Sequence, residues 1–218
     1  MEWSWSVAYD VMPRLAAGLV VTVQATLVGA LVAYVLGLAL AILKMSPYRL
    51  VAWSSYWSSE FVRRTPLLVQ LYFLFYVLPD LGIFLEPFAA GVIGLGLHFS
   101  TYTSEVFRAG IENVPKGQWE AARSLNYSTI QTWRHVVLPQ AIPPMIPPLA
   151  NYLITMFKET PLLAAITVVE LFNAANIYSN SHYKYLEPMT LVGTFFLLVS
   201  IPAAALAIRL ENAFRRKA

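Results

Sequence analysis

The 218-residue chain contains no cysteine, so neither a disulfide framework nor a thiolate metal site is available to it. Charged side chains are scarce, 12% of residues against 58% hydrophobic, and mean hydropathy is +0.58. Too few polar groups exist to coat a soluble globule of this length, so lipid is the solvent for most of the surface. The phosphate-cradling pattern G-x-x-x-x-G-K-[ST] is missing, and any nucleotide must be held by another chain. His98, His135 and His182 stand far apart on three segments with no H-E-x-x-H, which argues against a metal site. No G-x-S-x-G elbow occurs either. An intramembrane enzyme is disfavoured, and a non-catalytic passage or scaffold remains. The first ten residues carry acidic and aromatic side chains but no basic cluster, so the first apolar run does not read as a cleaved signal peptide.

What is present is an all-α integral membrane pattern of about five transmembrane helices. Residues 15–43 carry no formal charge, ample for a span of about 20 residues. Within them Ala25, Gly29, Ala33, Gly37 and Ala41 recur every four residues, a stripe that lets another helix approach closely. A second span is expected over 55–79. Its apolar run from Pro66 is too short alone, so the helix must begin upstream, past Glu60, Arg63 and Arg64, with Trp53, Tyr56 and Trp57 at headgroup level. A third span, 87–109, mixes glycine with Ser100, Thr101, Tyr102, Thr103 and Ser104, a composition suited to a helix buried among others.

Residues 115–140 intermix charged and apolar side chains between membrane segments. Lys116 to Leu125 holds good helix formers after Pro115. Asn126 stands where a helix end wants positive φ. Ser128 and Gln131 have capping-box spacing, so a second helix starts near Thr129 and runs toward Leu138 and Pro139. Read from these features alone, the hairpin is either an amphipathic connector between two spans or an organised docking element.

The fourth span, 138–165, contains Pro143, Pro144, Pro147, Pro148 and Pro161 and is expected to be kinked or interrupted. Lys158 and Glu159 lie inside it: either a functional pair, since charge at that depth is costly, or a pair that neutralises itself near a helix end. Gln70, Asn151, Lys158 and Glu159 are the polar groups assigned to a solute path. Residues 170–187 read as a polar loop, and 188–208 as the last span.

Charge sets the orientation. One side holds twelve basic residues, in 44–64, 108–134 and 209–217; the other holds only Arg14 and Lys184. Acidic residues are nearly balanced, so the bias lies in lysine and arginine and places the hairpin and C-terminus in the cytoplasm, with the N-terminus outside.

The stretch KGQWEAARSLNYSTIQTWRHVVLPQA resembles the EAA loop of permease subunits of binding-protein-dependent ABC importers. RRTPLLVQLYF at 63–73, YTSEVFRAGIENVPKGQWEAA at 102–122 and FKETPLLAAITVVEL at 157–171 are similar to the polar amino acid uptake branch, so the likeness covers nearly the whole chain. It departs at Asn126, where the family has glycine. HFSTYTSEVFRAGIE and ANYLITMFKETPLLAAITVVEL resemble permeases for ectoine and hydroxyectoine, with a polar amino acid as the alternative substrate. The resemblance implies a single transmembrane domain over 1–218 that works by alternating access in a bacterial inner membrane. Glu120, Ala121 and Ala122 would form the face docked on a cytoplasmic ABC ATPase dimer, Asn126 the turn, and Leu138 with Pro139 the return to the membrane. The chain itself would bind no cofactor, ATP and magnesium being used by the ATPase. Its other partners would be a second permease, identical or homologous, an extracytoplasmic solute-binding protein and membrane lipid, with no nucleic acid. A membrane anchor or sensor that recruits a partner without transport, and an ion-coupled secondary transporter, are the competing classes.

Overall fold

The computed structural model describes residues 3–215, so Arg216 and Lys217, which count toward the cytoplasmic charge, lie outside the described residues. Nine α-helices occur in the order α1 (Trp5–Lys44), α2 (Arg49–Arg64), α3 (Leu67–Tyr72), α4 (Pro87–Glu112), α5 (Lys116–Ser124), α6 (Thr129–Thr132), α7 (Leu138–Glu159), α8 (Leu171–His182) and α9 (Leu186–Arg215), with no strand among the described residues. Short π and 3-10 turns extend α3, join α6 to α7 and follow α7.

The small-residue stripe of α1 is buried along its length, and α4 is the helix that packs on it. A Cβ at Gly37 would strike the Thr103 side chain, and Thr103 donates its hydroxyl to the Ala33 carbonyl at 3.0 Å. Lipid tails give apolar side chains no reason to leave them, so close backbone approach and interhelical hydroxyl bonds supply the cohesion here. Around this seam Ala25, Ala33, Leu71, Leu95, Met156 and Leu163 form the central core.

The expected second span is not one helix. α2 stops at Arg64, and the segment Leu67–Leu81 leaves it at 100°. Pro66 lacks an N–H and drives Thr65 into extended backbone (φ −93°, ψ 137°), which ends the helix. In the fourth segment the prolines do not interrupt α7. They come as adjacent pairs one turn apart, 143–144 and 147–148, so the carbonyls they free share one side of a helix that runs on to Glu159. A 3-10 turn, Thr160–Ile166, ends it at Thr167 (φ 66°).

Residues 170–187 are not a loop. α8 occupies most of them, with fully buried Glu170 as its N-cap, accepting from the amides of Phe172 and Asn173 at 2.8 and 2.7 Å. Asparagine and serine make this stretch a poor intrinsic helix. Tertiary contacts hold it: Leu171, Ala175 and Tyr178 pack with Val11, Leu15 and Val192, and Tyr178 donates its hydroxyl to Asp10 at 2.7 Å.

By length and apolarity alone, α1 and residues Leu186–Arg209 are long enough to cross a membrane, and counting each bent pair of helices as one span gives four. α4, at about 39 Å, is long enough to be a fifth but carries hydroxyls, Glu105, Arg108 and Glu112.

Candidate coupling hairpin and solute path

α5 closes with the bond pattern its sequence favours. Asn126 adopts φ 57°, its amide donates to the Arg123 carbonyl at 2.9 Å, and the Tyr127 amide donates to that of Ala122 at 3.0 Å, together a Schellman end. The next helix opens on the expected capping box: the Gln131 amide donates to Ser128 Oγ at 3.3 Å, and the Ser128 amide to Gln131 Oε1 at 2.9 Å.

Beyond the cap the helix runs toward Leu138 and Pro139 as expected and continues past them. Thr129–Thr132 runs through a π turn, Trp133–Val137, straight into α7. Pro139 accounts for the turn, because its ring displaces the carbonyl four residues back, at His135, and the local register widens. The second arm of the hairpin and α7 are therefore one continuous rod of about 30 residues from Thr129 to Glu159.

The arms are braced to each other. Trp119 meets Trp133 edge to face at 5.4 Å, and both pack on a small core of Ile111, Val114, Val137, Ala141 and Met145. Ala122 turns into the hairpin, 2% exposed, and so contributes to this brace. Glu120 and Ala121 face outward, and Leu125 and Ile130 at the tip are 68% and 78% exposed. The result is a stiff element that displays apolar and charged groups together.

The residues assigned to a solute path are not brought into one cluster. Gln70 is occupied: its Nε2 donates to the carbonyls of Val62 and Thr65 at 2.7 and 3.1 Å, stapling the break around Pro66. Asn151 and Lys158 are exposed and Glu159 half-buried on α7. Lys158 and Glu159 make no contact of salt-bridge length with each other among the described residues.

Other groups converge that sequence spacing does not reveal. Tyr102 of α4 lies 5.7 Å from Tyr152 of α7 and 5.3 Å from His98, and the Arg63 guanidinium stands 5.3 Å over its ring. His98 Nδ1 and Arg63 Nε are buried without a hydrogen-bond partner among the described residues. The hydroxyl and aromatic density of 98–104 was the available signal; nothing in the sequence places Tyr152 beside it. One turn further along α4, Glu105 accepts from Lys44 at 2.8 Å and from Arg108 at 2.7 Å, with Arg63 Nη2 at 3.6 Å. Glu60 pairs with Arg63 and Arg64 at 3.0 Å each. These pairs tie the ends of α1 and α2 to α4.

Residues 33–216 match the family described as "Binding-protein-dependent transport system inner membrane component". The chain is 46% identical over 199 residues to a probable amino-acid ABC transporter permease protein, y4tG, of Sinorhizobium fredii, covering 91% of this chain and 86% of that one. It is 32% identical over 213 residues to the probable glutamine permease GlnM of Bacillus subtilis, covering 96% and 99%. Among solved structures, an amino acid ABC transporter crystallised with histidines has a subunit of TM-score 0.88 and 32% identity, covering 99% of this chain and 100% of that one. The MetNI methionine transporter in an inward-facing conformation, at 20% identity and TM-score 0.76 over 93% and 97%, shares the fold. With its braced hairpin, membrane helices and matches along nearly its whole length, the chain belongs to the family of inner membrane permease subunits of binding-protein-dependent ABC importers.

Proposed function

We propose that this permease works with a second permease and a separate cytoplasmic ATPase dimer to import a small zwitterionic solute, delivered by an extracytoplasmic binding protein, by alternating access. The observation that carries the reading is the continuous rod from Thr129 to Glu159, which joins the exposed hairpin tip to the deep end of the fourth membrane segment. ATP-driven movement of an ATPase groove around Glu120, Ala121 and the tip passes from α5 to that rod through the Trp119–Trp133 brace and along it into the membrane. Five spans, with α4 as the buried one, would set the two termini on opposite sides, and the lysine and arginine bias supports a cytoplasmic hairpin and an outside N-terminus.

The relatives named for glutamine, cystine and arginine favour a polar amino acid as the solute. Ectoine and hydroxyectoine are the second reading, carried by the 98–112 and 150–171 blocks. Either zwitterion suits a path flanked by Glu159, Arg63 and the tyrosines of α4 and α7. The test is reconstitution of the permease with its cognate ATPase and binding protein in proteoliposomes, followed by competition between amino acids and ectoines for ATP-dependent uptake. Uptake driven by an ion gradient without the ATPase would instead identify a secondary transporter. Partner binding without uptake would identify an anchor or sensor.

A further inference from the structure

α2 is built inside out. Its inner side carries Ser55, Ser59 and Glu60, all buried against the rest of the chain, with Glu60 held by Arg63 and Arg64. Its outer side carries the apolar groups: Leu50, Trp53, Trp57 and Phe61 fall on one stripe at i, i+3, i+7 and i+11 and are 77%, 60%, 54% and 73% exposed. Trp53 and Trp57 stand 6.3 Å apart, and Tyr56 lies edge to face with Trp57 at 5.7 Å. Arginines mark both ends of the helix. Arg49 is exposed and makes no ion pair among the described residues, and the Arg64 side chain is 78% exposed despite its contact with Glu60.

The direction of the helix matters as much as its pattern. The segment that follows leaves α2 at 100°, so where Leu67–Leu81 runs across the membrane, α2 lies almost in the membrane plane. Its depth is fixed by contacts to the second half of α4 and the end of α1: Arg63 Nη2 donates to the Thr101 carbonyl at 2.6 Å and approaches Glu105, the partner of Lys44 at the last residue of α1. An in-plane helix at the end of the spans, with indole and phenol rings outward and cations at both ends, has the chemistry of a membrane interface bearing negative charge.

We infer that α2 is an interfacial anchor: Leu50, Trp53, Trp57 and Phe61 enter the headgroup boundary at the Lys44 end of α1, and Arg49 and Arg64 bind the phosphates of anionic lipids there. The anchor holds the base of the Leu67–Leu81 segment at constant depth while neighbouring segments move. A protein partner seated on this stripe is the rival occupant, and the experiment separates the two.

The absence of cysteine makes the measurement direct. Single cysteines placed at Leu50, Trp53, Trp57 and Phe61, and at buried Ser59 as control, are spin-labelled in the assembled transporter in vesicles of phosphatidylcholine with or without phosphatidylglycerol. Accessibility to oxygen and to a water-soluble nickel chelate gives the depth of each label. The four outer positions are expected at one interfacial depth, oxygen-accessible, with Ser59 shielded from both probes. A transmembrane α2 would instead give a depth gradient of about 16 Å from Leu50 to Phe61, and a covering protein would shield the outer positions as well. Either result overturns the anchor. Removing phosphatidylglycerol should shift the labels at Leu50 and Phe61 toward water, and in the Arg49→Gln/Arg64→Gln background that shift should vanish. No shift in the parent, or an equal shift in the double variant, would overturn the anionic-lipid assignment.

Discussion

Asn126 sits at φ 57° between the Schellman end of α5 and the capping box of α6. Glycine meets that angle without strain, so Asn126→Gly should leave thermal unfolding in detergent nearly unchanged. Valine carries a branched Cβ into the left-handed region, and Asn126→Val should cost about 1–2 kcal/mol and disturb coupling, seen as a lower unfolding temperature and a smaller ratio of uptake to ATP hydrolysed. Gln70 is a different case, because its polarity in a membrane segment pointed to the solute while its amide serves the carbonyls of Val62 and Thr65. Gln70→Leu removes the donor to the Thr65 carbonyl, while the Val62 carbonyl keeps the Thr65 amide and hydroxyl, and should cost about 0.5–1.5 kcal/mol, again in thermal unfolding. A Gln70→Leu protein of normal stability but reduced uptake would return the residue to the path.

At the scale of elements, the π turn at Trp133–Val137 sets the angular phase between the hairpin and α7. Pro139→Ala restores the amide that lets the His135 carbonyl bond four residues on, and relaxing one π turn to α geometry rotates the tip about the rod by about 100°. The variant should fold and assemble but lose most ATP-dependent uptake in proteoliposomes, and full uptake would show that the phase is immaterial. The turn after α5 and the cap before α6 were legible in the sequence because each is decided within four or five residues. The break at Pro66 was legible in principle, yet the hydrophobic deficit of the run after it argued for a helix that began earlier, and the two signals conflicted. α8 escaped because its helicity depends on the Glu170 cap and on packing against α1 and α9, and local propensity runs the other way.

For the whole molecule, the rod from Thr129 to Glu159 predicts loss of uptake from changes beside either end. Glu120→Lys, on the outward side of α5 next to the hairpin end of the rod, should leave the protein inserted and assembled while ATP hydrolysis proceeds without uptake; normal transport by this variant would sink the docking assignment. Glu159→Gln at the other end should lower uptake with ATPase binding intact, measured by co-purification alongside transport. Loss of assembly would assign Glu159 to structure instead.

The sequence by itself determined the solvent, from its shortage of charge, and the seam of α1, because a repeat of four keeps small residues on one helical face. It also determined the turn at Asn126 and the capping box at Ser128, whose bonds close within a few residues. Only the tertiary structure decided that Ala122 points inward, that Gln70 closes a helix break, that 171–182 is helical, and that Arg63, Tyr102 and Tyr152 meet. Helical spacing specifies which residues of one helix share a face. Which faces of α2, α4 and α7 then oppose each other depends on packing between segments separated by 22 and 25 residues, and no local pattern encodes that.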